Sequence, residues 1–235
     1  MTQERFYGRR VGRKSASRRA FIEENLKGFS LTPDTLSPSV PLENLFSHRV
    51  KKIALEIGFG AGEHLIQQLL NDPHLGMIGV EPFQDGMAHA LKNAQAHASI
   101  EGRLKLVPED IRLLLPLFPK EAFEKIFILF SDPWPKKRHQ KRRLLQPPFL
   151  ETCATLLKSG GQLLIAHDHI GYIEEIWRIL NAQDTLIYRE GLQSLNPPDW
   201  PSWPPHWPMT RYGKKALAQG RSLAFFVWEK PLTDV

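Results

Sequence analysis

From Ile53 onward, short apolar runs alternate with amphipathic stretches, and this alternation restricts the fold more than any other feature of the chain. Ile53–Ile57, Met77–Glu81, Leu104–Val107, Ile126–Phe130 and Gln162–His167 have the length and apolar content of buried strands. Between and after them, Glu63–Asn71, Gln84–Ala98, Ile111–Leu117, Pro148–Leu157 and Tyr172–Asn181 read as helices. Two later apolar runs, Leu186–Tyr188 and Leu223–Glu229, complete a count of seven strands. Regular alternation of this kind predicts an α/β fold with a mostly parallel seven-stranded sheet and helices on both faces.

Upstream of that pattern, residues 1–20 read as a flexible basic arm, and a further helix is expected near Arg19–Lys27. Residues 21–235 are expected to form one domain. No apolar run approaches the roughly 20 residues of a membrane span, and no apolar segment follows the basic N-terminus as in a secretory signal. The single cysteine, Cys153, rules out an internal disulfide and fits a reducing compartment, so a cytoplasmic protein is expected.

The net charge of +6 conceals a strong asymmetry. Residues 1–19 hold seven Lys or Arg and residues 136–143 hold six, whereas the rest of the chain carries 18 bases against 24 acids. A moderately acidic body with two concentrated basic patches points to a polyanionic partner such as nucleic acid.

The second basic patch lies in Ser131–Arg143, SDPWPKKRHQKRR. This stretch follows the fourth strand and sets a carboxylate, Asp132, and a flat ring, Trp134, beside a dense cationic cluster. An acid and an aromatic ring suit a nucleobase, and cations suit phosphates. Lys136, Lys137, Arg138, Lys141, Arg142 and Arg143 are therefore read as phosphate contacts, with Lys136 nearest the acid. Trp134 is read either as a stacking surface or as a packing residue that fixes the loop.

The first strand runs into Glu56-Ile57-Gly58-Phe59-Gly60-Ala61-Gly62, a GxGxG turn that opens the first helix. Glycines there allow close backbone approach to a ligand. Glu81 ends the next strand 19 residues beyond Gly62, where a carboxylate can accept from both hydroxyls of a ribose. Asp110 follows the third strand and can accept from an adenine amino group, and Asp132 follows the fourth. Acids at four successive strand ends repel free phosphates. They suit a ligand with a ribose, an amine and a positive charge, and S-adenosylmethionine has all three.

With these residues assembled, the chain resembles the bacterial tRNA (guanine-N7)-methyltransferases from about Gly8 to Lys230. The resemblance rests on LEIGFGAGEHL (Leu55–Leu65), GVEPF (Gly79–Phe83) and the Ser131–Arg143 stretch, of which the last is the most specific. It implies a Rossmann-like class I methyltransferase fold and S-adenosylmethionine as cofactor. Carried over position by position, it implies Glu56, Gly58, Gly60, Gly62, Glu81, Asp110 and Asp132 at the cofactor site. It also implies Asp132 as the catalytic residue, Lys136 and Asp168 as substrate-binding residues, and Arg138–Arg143 as the stretch that contacts tRNA. The target implied is the guanosine at position 46, in the variable loop, and the protein would act as a monomer or homodimer. The family's C-terminal substrate motif is Thr, any residue, Tyr or Phe, Glu, with a Gly further on. Here it reads Thr210-Arg211-Tyr212-Gly213 with Gly220 following, so Gly213 stands where the acid is expected.

Other readings fit the residues less well. A non-catalytic RNA-binding protein on the same scaffold draws support only from Gly213. A nicotinamide dehydrogenase conflicts with the glycine spacing and the basic loop. Methylation of an adenine amino group would call for a DPPY-like loop after the fourth strand. His167-Asp168-His169 invites a metal reading, but neighbours on a strand point to opposite faces, so no metal is expected and Asp168 is read as facing the substrate. Leu195–Pro208, with three Trp and six Pro, reads as a stiff loop whose tryptophans pack on the body or face a ligand.

Overall fold

The computed structural model describes residues 15–191, 201–204 and 207–232. Most of the expected basic arm, and the parts of the Trp- and Pro-rich stretch at 195–200 and 205–206, lie outside the described residues. The chain divides into two compact units, Met1–Ala122 and Phe123–Val235.

In the first unit, strands β1 (Lys52–Ile57), β2 (Leu75–Val80) and β3 (Leu104–Val107) are parallel in the order β3-β2-β1. Helix α1 (Ser15–Asn25) precedes them, α2 (Glu63–Asn71) and α3 (Gln84–Gln95) connect them, and the single-turn α4 (Ile111–Leu114) follows β3. Every residue of β2 is buried, as parallel strands covered on both faces require. Burial of one Leu, Ile or Val side chain contributes about 1.5–3 kcal/mol. The amphipathic α2 buries His64, Leu65, Ile66 and Leu69. Its C-terminal end is closed by Arg103, whose buried guanidinium donates to the carbonyls of Leu69, Ser99, Asp72 and Leu75 at 2.8–3.1 Å. A cation at a helix C-terminus also complements the helix dipole.

Helix α1 starts at Ser15, earlier than the sequence predicts, so the end of the expected arm is helical. It is fastened to α3 by an Arg18–Asp85 ion pair, by Gln95 Nε2 donating to Asn25 Oδ1 at 2.6 Å, and by the Lys92 ammonium over the Phe21 ring.

The second unit holds β4 (Phe123–Leu129), β5 (Leu157–His167), β6 (Ile187–Gly191) and β7 (Ala224–Glu229) in the order β4-β5-β7-β6. Helices α5 (Pro147–Leu156), α6 (Ile170–Asn181) and α7 (Arg211–Ala218) belong to it. β4 and β5 are parallel, but β7 runs antiparallel to both β5 and β6. Strand pairing is therefore mixed: β7 enters from the opposite end and lies between β5 and β6. Helix α7 was not expected from the sequence. Its N-cap is Thr210, whose Oγ1 accepts from Gly213 N at 3.1 Å. Among the described residues no helix is long and apolar enough to cross a membrane.

Candidate functional site

Strand register sets the first group of residues. Ile57 pairs with Val80, and Val80 with Val107, so the carboxyl ends of β1, β2 and β3 are level. Gly58, Glu81 and Asp110, all just past those ends, therefore fall on one edge of the first unit. Gly58, Gly60 and Gly62 all have positive φ, between 57° and 79°. At Gly58 a Cβ would meet nothing within 4 Å, so its backbone faces open space where a ligand can approach. At Gly62 a Cβ would come within 2.8 Å of Ala90 Cβ, because α2 and α3 pack closely there.

Glu81 is buried and holds the glycine turn in place. Its Oε2 accepts from Gly60 N and its Oε1 from Phe83 N, both at 2.9 Å. Carboxylate oxygens each take more than one hydrogen bond, so the carboxylate the sequence assigns to a ribose is already oriented by backbone. Glu56 is buried as well, and its Oε2 lies 2.8 Å from Nδ1 of His64 on α2. Nε2 of His64 lies 3.1 Å from the Gln68 amide. Asp110 caps α4 through Arg112 N and is gripped by the Arg112 side chain, with Nε on Oδ1 at 3.0 Å and Nη2 on Oδ2 at 2.8 Å. Sequence reasoning missed both His64 and Arg112. The short spacings Glu56/His64 and Asp110/Arg112 are the only signal that could have pointed to them.

A second group lies in the second unit. Leu129 pairs with Ala166, which makes the ends of β4 and β5 level and sets Asp132 and Asp168 just past them. The backbone on either side of Asp132 adopts left-handed conformations. Phe130 and Trp134 bracket it with φ of 57° and 40°, values that cost a non-glycine residue on the order of 1–3 kcal/mol. Asp132 is exposed, yet partial desolvation by its surroundings pushes its carboxyl above the ordinary range. Arg142 packs its guanidinium over the Trp134 ring at 5.0 Å, and His139 meets the same ring edge-on.

Lys136, Lys137, Arg138 and Lys141 are exposed. Desolvation first, and then the neighbouring Arg142, Arg138 and Lys136 cations, push His139 below its usual pKa. Arg143 differs from the rest of the cluster because it is buried.

Asp168 is half-buried and pairs with Arg221 at 2.7 Å. With His169, the N-terminal residues of α6 and Gly220–Ser222, it lines an open cleft of about 410 Å³. His167 is buried with Nδ1 accepting from the amides of Asp168 and His169, both at 2.9 Å. Arg221 was also missed by sequence reasoning.

Thr210 and Gly213 are buried, Arg211 and Tyr212 exposed. A Cβ at Gly213 would lie 2.5 Å from Met209 Sδ and 3.3 Å from Phe130, so Met209 occupies the space beside the position where an acid was expected. In the Trp-rich stretch, Trp203 stacks on Phe130 at 6.1 Å and donates Nε1–H to the Trp207 carbonyl, while Trp207 packs on Phe225. These two tryptophans pack on the body. Cys153 is fully buried and burial pushes its thiol up to about 12, which makes it a poor nucleophile.

Residues 50–226 match the family Methyltransf_4, described as "Putative methyltransferase". The chain is 38% identical over 229 residues to the tRNA (guanine-N(7)-)-methyltransferase of Rhodospirillum rubrum, covering 96% of this chain and 88% of that protein. The corresponding protein of Bartonella henselae is 35% identical over 231 residues, covering 97% of each. Among solved structures, an antibiotic-related methyltransferase aligns with a TM-score of 0.54 at 17% identity over 86% of this chain and 95% of that one. The 16S rRNA methyltransferase KamB aligns with a TM-score of 0.54 at 14% identity, over 81% and 92%. At such identities these likenesses establish the Rossmann-like methyltransferase fold.

Proposed function

The chain belongs to the tRNA (guanine-N(7)-)-methyltransferase family, and from that premise we propose how its residues divide the work of methylating guanine N7 in tRNA, with position 46 of the variable loop as the target. The observation that carries the reading is the Ser131–Arg143 loop, in which Asp132, between left-handed Phe130 and Trp134, stands beside a run of exposed cations.

The glycine turn fits S-adenosylmethionine: open backbone at Gly58 admits the ligand closely, and the Glu81 carboxylate is aimed by Gly60 N and Phe83 N. Glu81 would hold the ribose, Asp110 the adenine amino group and Glu56 the base of the turn. When bound, S-adenosylmethionine supplies an electrophilic methyl group on a positively charged sulfur.

Guanine N7 carries a free lone pair, so no proton must be removed before attack. The protein's task is orientation and charge stabilisation. Asp132 would accept hydrogen bonds from guanine N1–H and the 2-amino group and stabilise the positive charge that develops on the purine as N7 bonds to carbon. Lys136, Arg138, Lys141 and Arg142 would position tRNA phosphates, and Asp168 with the Thr210–Gly213 turn would complete the substrate edge.

The test is Asp132→Asn. Asparagine keeps the shape but loses the charge, so turnover should fall by roughly two to three powers of ten with S-adenosylmethionine affinity changed less than tenfold. Turnover near that of the unmodified protein would remove Asp132 from the reaction.

A further inference from the structure

The six Lys and Arg of residues 136–143 look alike in sequence, but Arg143 is in a different physical situation from the others. Its residue surface is 4% exposed, whereas Lys136, Lys137, Arg138 and Lys141 face solvent. The Arg143 guanidinium has three partners. Nε donates to the Pro133 carbonyl at 2.8 Å, Nη1 forms an ion pair with Glu175 on α6, and the planar group lies over the Tyr172 ring at 4.7 Å. A tRNA phosphate could reach it only by displacing all three.

Pro133 directly follows Asp132. The carbonyl on the other side of Asp132, that of Ser131, is 2.7 Å from His167 Nε2. Both carbonyls flanking Asp132 are therefore gripped by buried side chains, and those side chains touch a common ring: His167 meets Tyr172 edge-on at 5.0 Å, and Arg143 covers it. Tyr172 is itself fixed, since its hydroxyl accepts from Leu145 N at 3.1 Å. The positive φ values of Phe130 and Trp134 lie at the two ends of this clamped segment. Strained backbone persists only where its surroundings over-determine it.

We infer that Arg143 is a positioning residue that holds Asp132 through the Pro133 carbonyl, and that it does not contact tRNA. Glu175, which carries no attraction for a polyanion, belongs to the same device because it fixes the far side of the guanidinium. The inference rests on the reading of Asp132 as the catalytic residue.

The experiment compares Arg143→Gln, Arg143→Lys and Glu175→Gln with Arg138→Gln and Asp132→Asn, on full-length protein and unmodified tRNA. It measures kcat at saturating tRNA, tRNA Kd, and the slope of log Kd against log salt, per folded molecule counted by circular dichroism. A phosphate contact removed should make the slope shallower by about 0.7–0.9, and Arg138→Gln is expected to do so. Arg143→Gln should leave slope and Kd within error and lower kcat about ten- to a hundredfold, the scale of a small misplacement of a reacting group. Arg143→Lys keeps the charge but loses the planar fork, so it should also lose kcat, though less. Should Arg143→Gln fail to fold, Glu175→Gln decides: kcat down and slope unchanged supports the inference, and unchanged kcat overturns it. A shallower slope for Arg143→Gln with kcat intact overturns it too. Full turnover in Asp132→Asn would instead sink the reading on which the inference rests, an outcome read separately from the salt slopes.

Discussion

Nε2 of His167 lies 2.7 Å from the carbonyl oxygen of Ser131, while its Nδ1 accepts from the amides of Asp168 and His169. That pattern requires a neutral ring with hydrogen on Nε2. Burial agrees, pushing His167 down to about 4. Because the folded-state pKa lies below the unfolded value of about 6.5, the unfolded chain binds the extra proton first as pH falls. The stability His167 contributes is thus complete above about pH 6.5 and is lost progressively toward pH 4, by a few kcal/mol in all. Thermal unfolding across that window should show a steeper acid loss for the unmodified protein than for His167→Gln. Parallel curves for the two would contradict the assignment.

Glu81 joins the glycine turn to the end of β2 by accepting from Gly60 N and Phe83 N at 2.9 Å each. In Glu81→Gln one acceptor oxygen becomes an NH₂ group that faces an amide hydrogen, donor against donor. Titration calorimetry should find S-adenosylmethionine binding weakened about ten- to a hundredfold, with kcat at saturating cofactor changed far less. Unchanged affinity would separate Glu81 from the cofactor.

Gly62 combines φ of 79° with a would-be Cβ 2.8 Å from Ala90 Cβ. Alanine there must bear left-handed backbone strain and separate α2 from α3. Gly62→Ala should cost roughly 2–4 kcal/mol, seen as a lower denaturant midpoint at unchanged slope. A loss under about 0.5 kcal/mol would mean that the close approach is not built into the fold.

Lys137, Arg138 and Lys141 are exposed and close in sequence. Their joint replacement by Gln should weaken tRNA binding at low salt by at least tenfold and make the slope of log Kd against log salt shallower by about 2. Melting temperature should hardly move. If the slope is that of the unmodified protein, these residues lie outside the tRNA interface.

Much of this was legible in the sequence, for identifiable reasons. Strand and helix alternation follows from apolar periodicity, and Glu63–Asn71 and Leu104–Val107 fall where the pattern sets them. The start of β5 was not visible because Lys158–Gly161 is polar. It is a strand through backbone pairing, as where Gly160 N donates to the Lys230 carbonyl and Lys230 N to that of Gly161. Helix α7 was hidden by a charged, glycine-containing sequence, and Thr210 as its cap is recognisable only once the helix is known. Partners such as His64 for Glu56, or Arg221 for Asp168, depend on side-chain direction, which residue spacing does not specify. Most telling is Arg143: charge density groups it with its neighbours, and only burial separates it from them.

The most direct test of the account is methyl transfer itself. The purified protein, incubated with tRNA that lacks the modification and with methyl-labelled S-adenosylmethionine, should place label in tRNA. Nucleoside digestion should then recover that label as 7-methylguanosine mapped to the variable loop. Label in any other nucleoside, or none in tRNA while the cofactor binds, would contradict it.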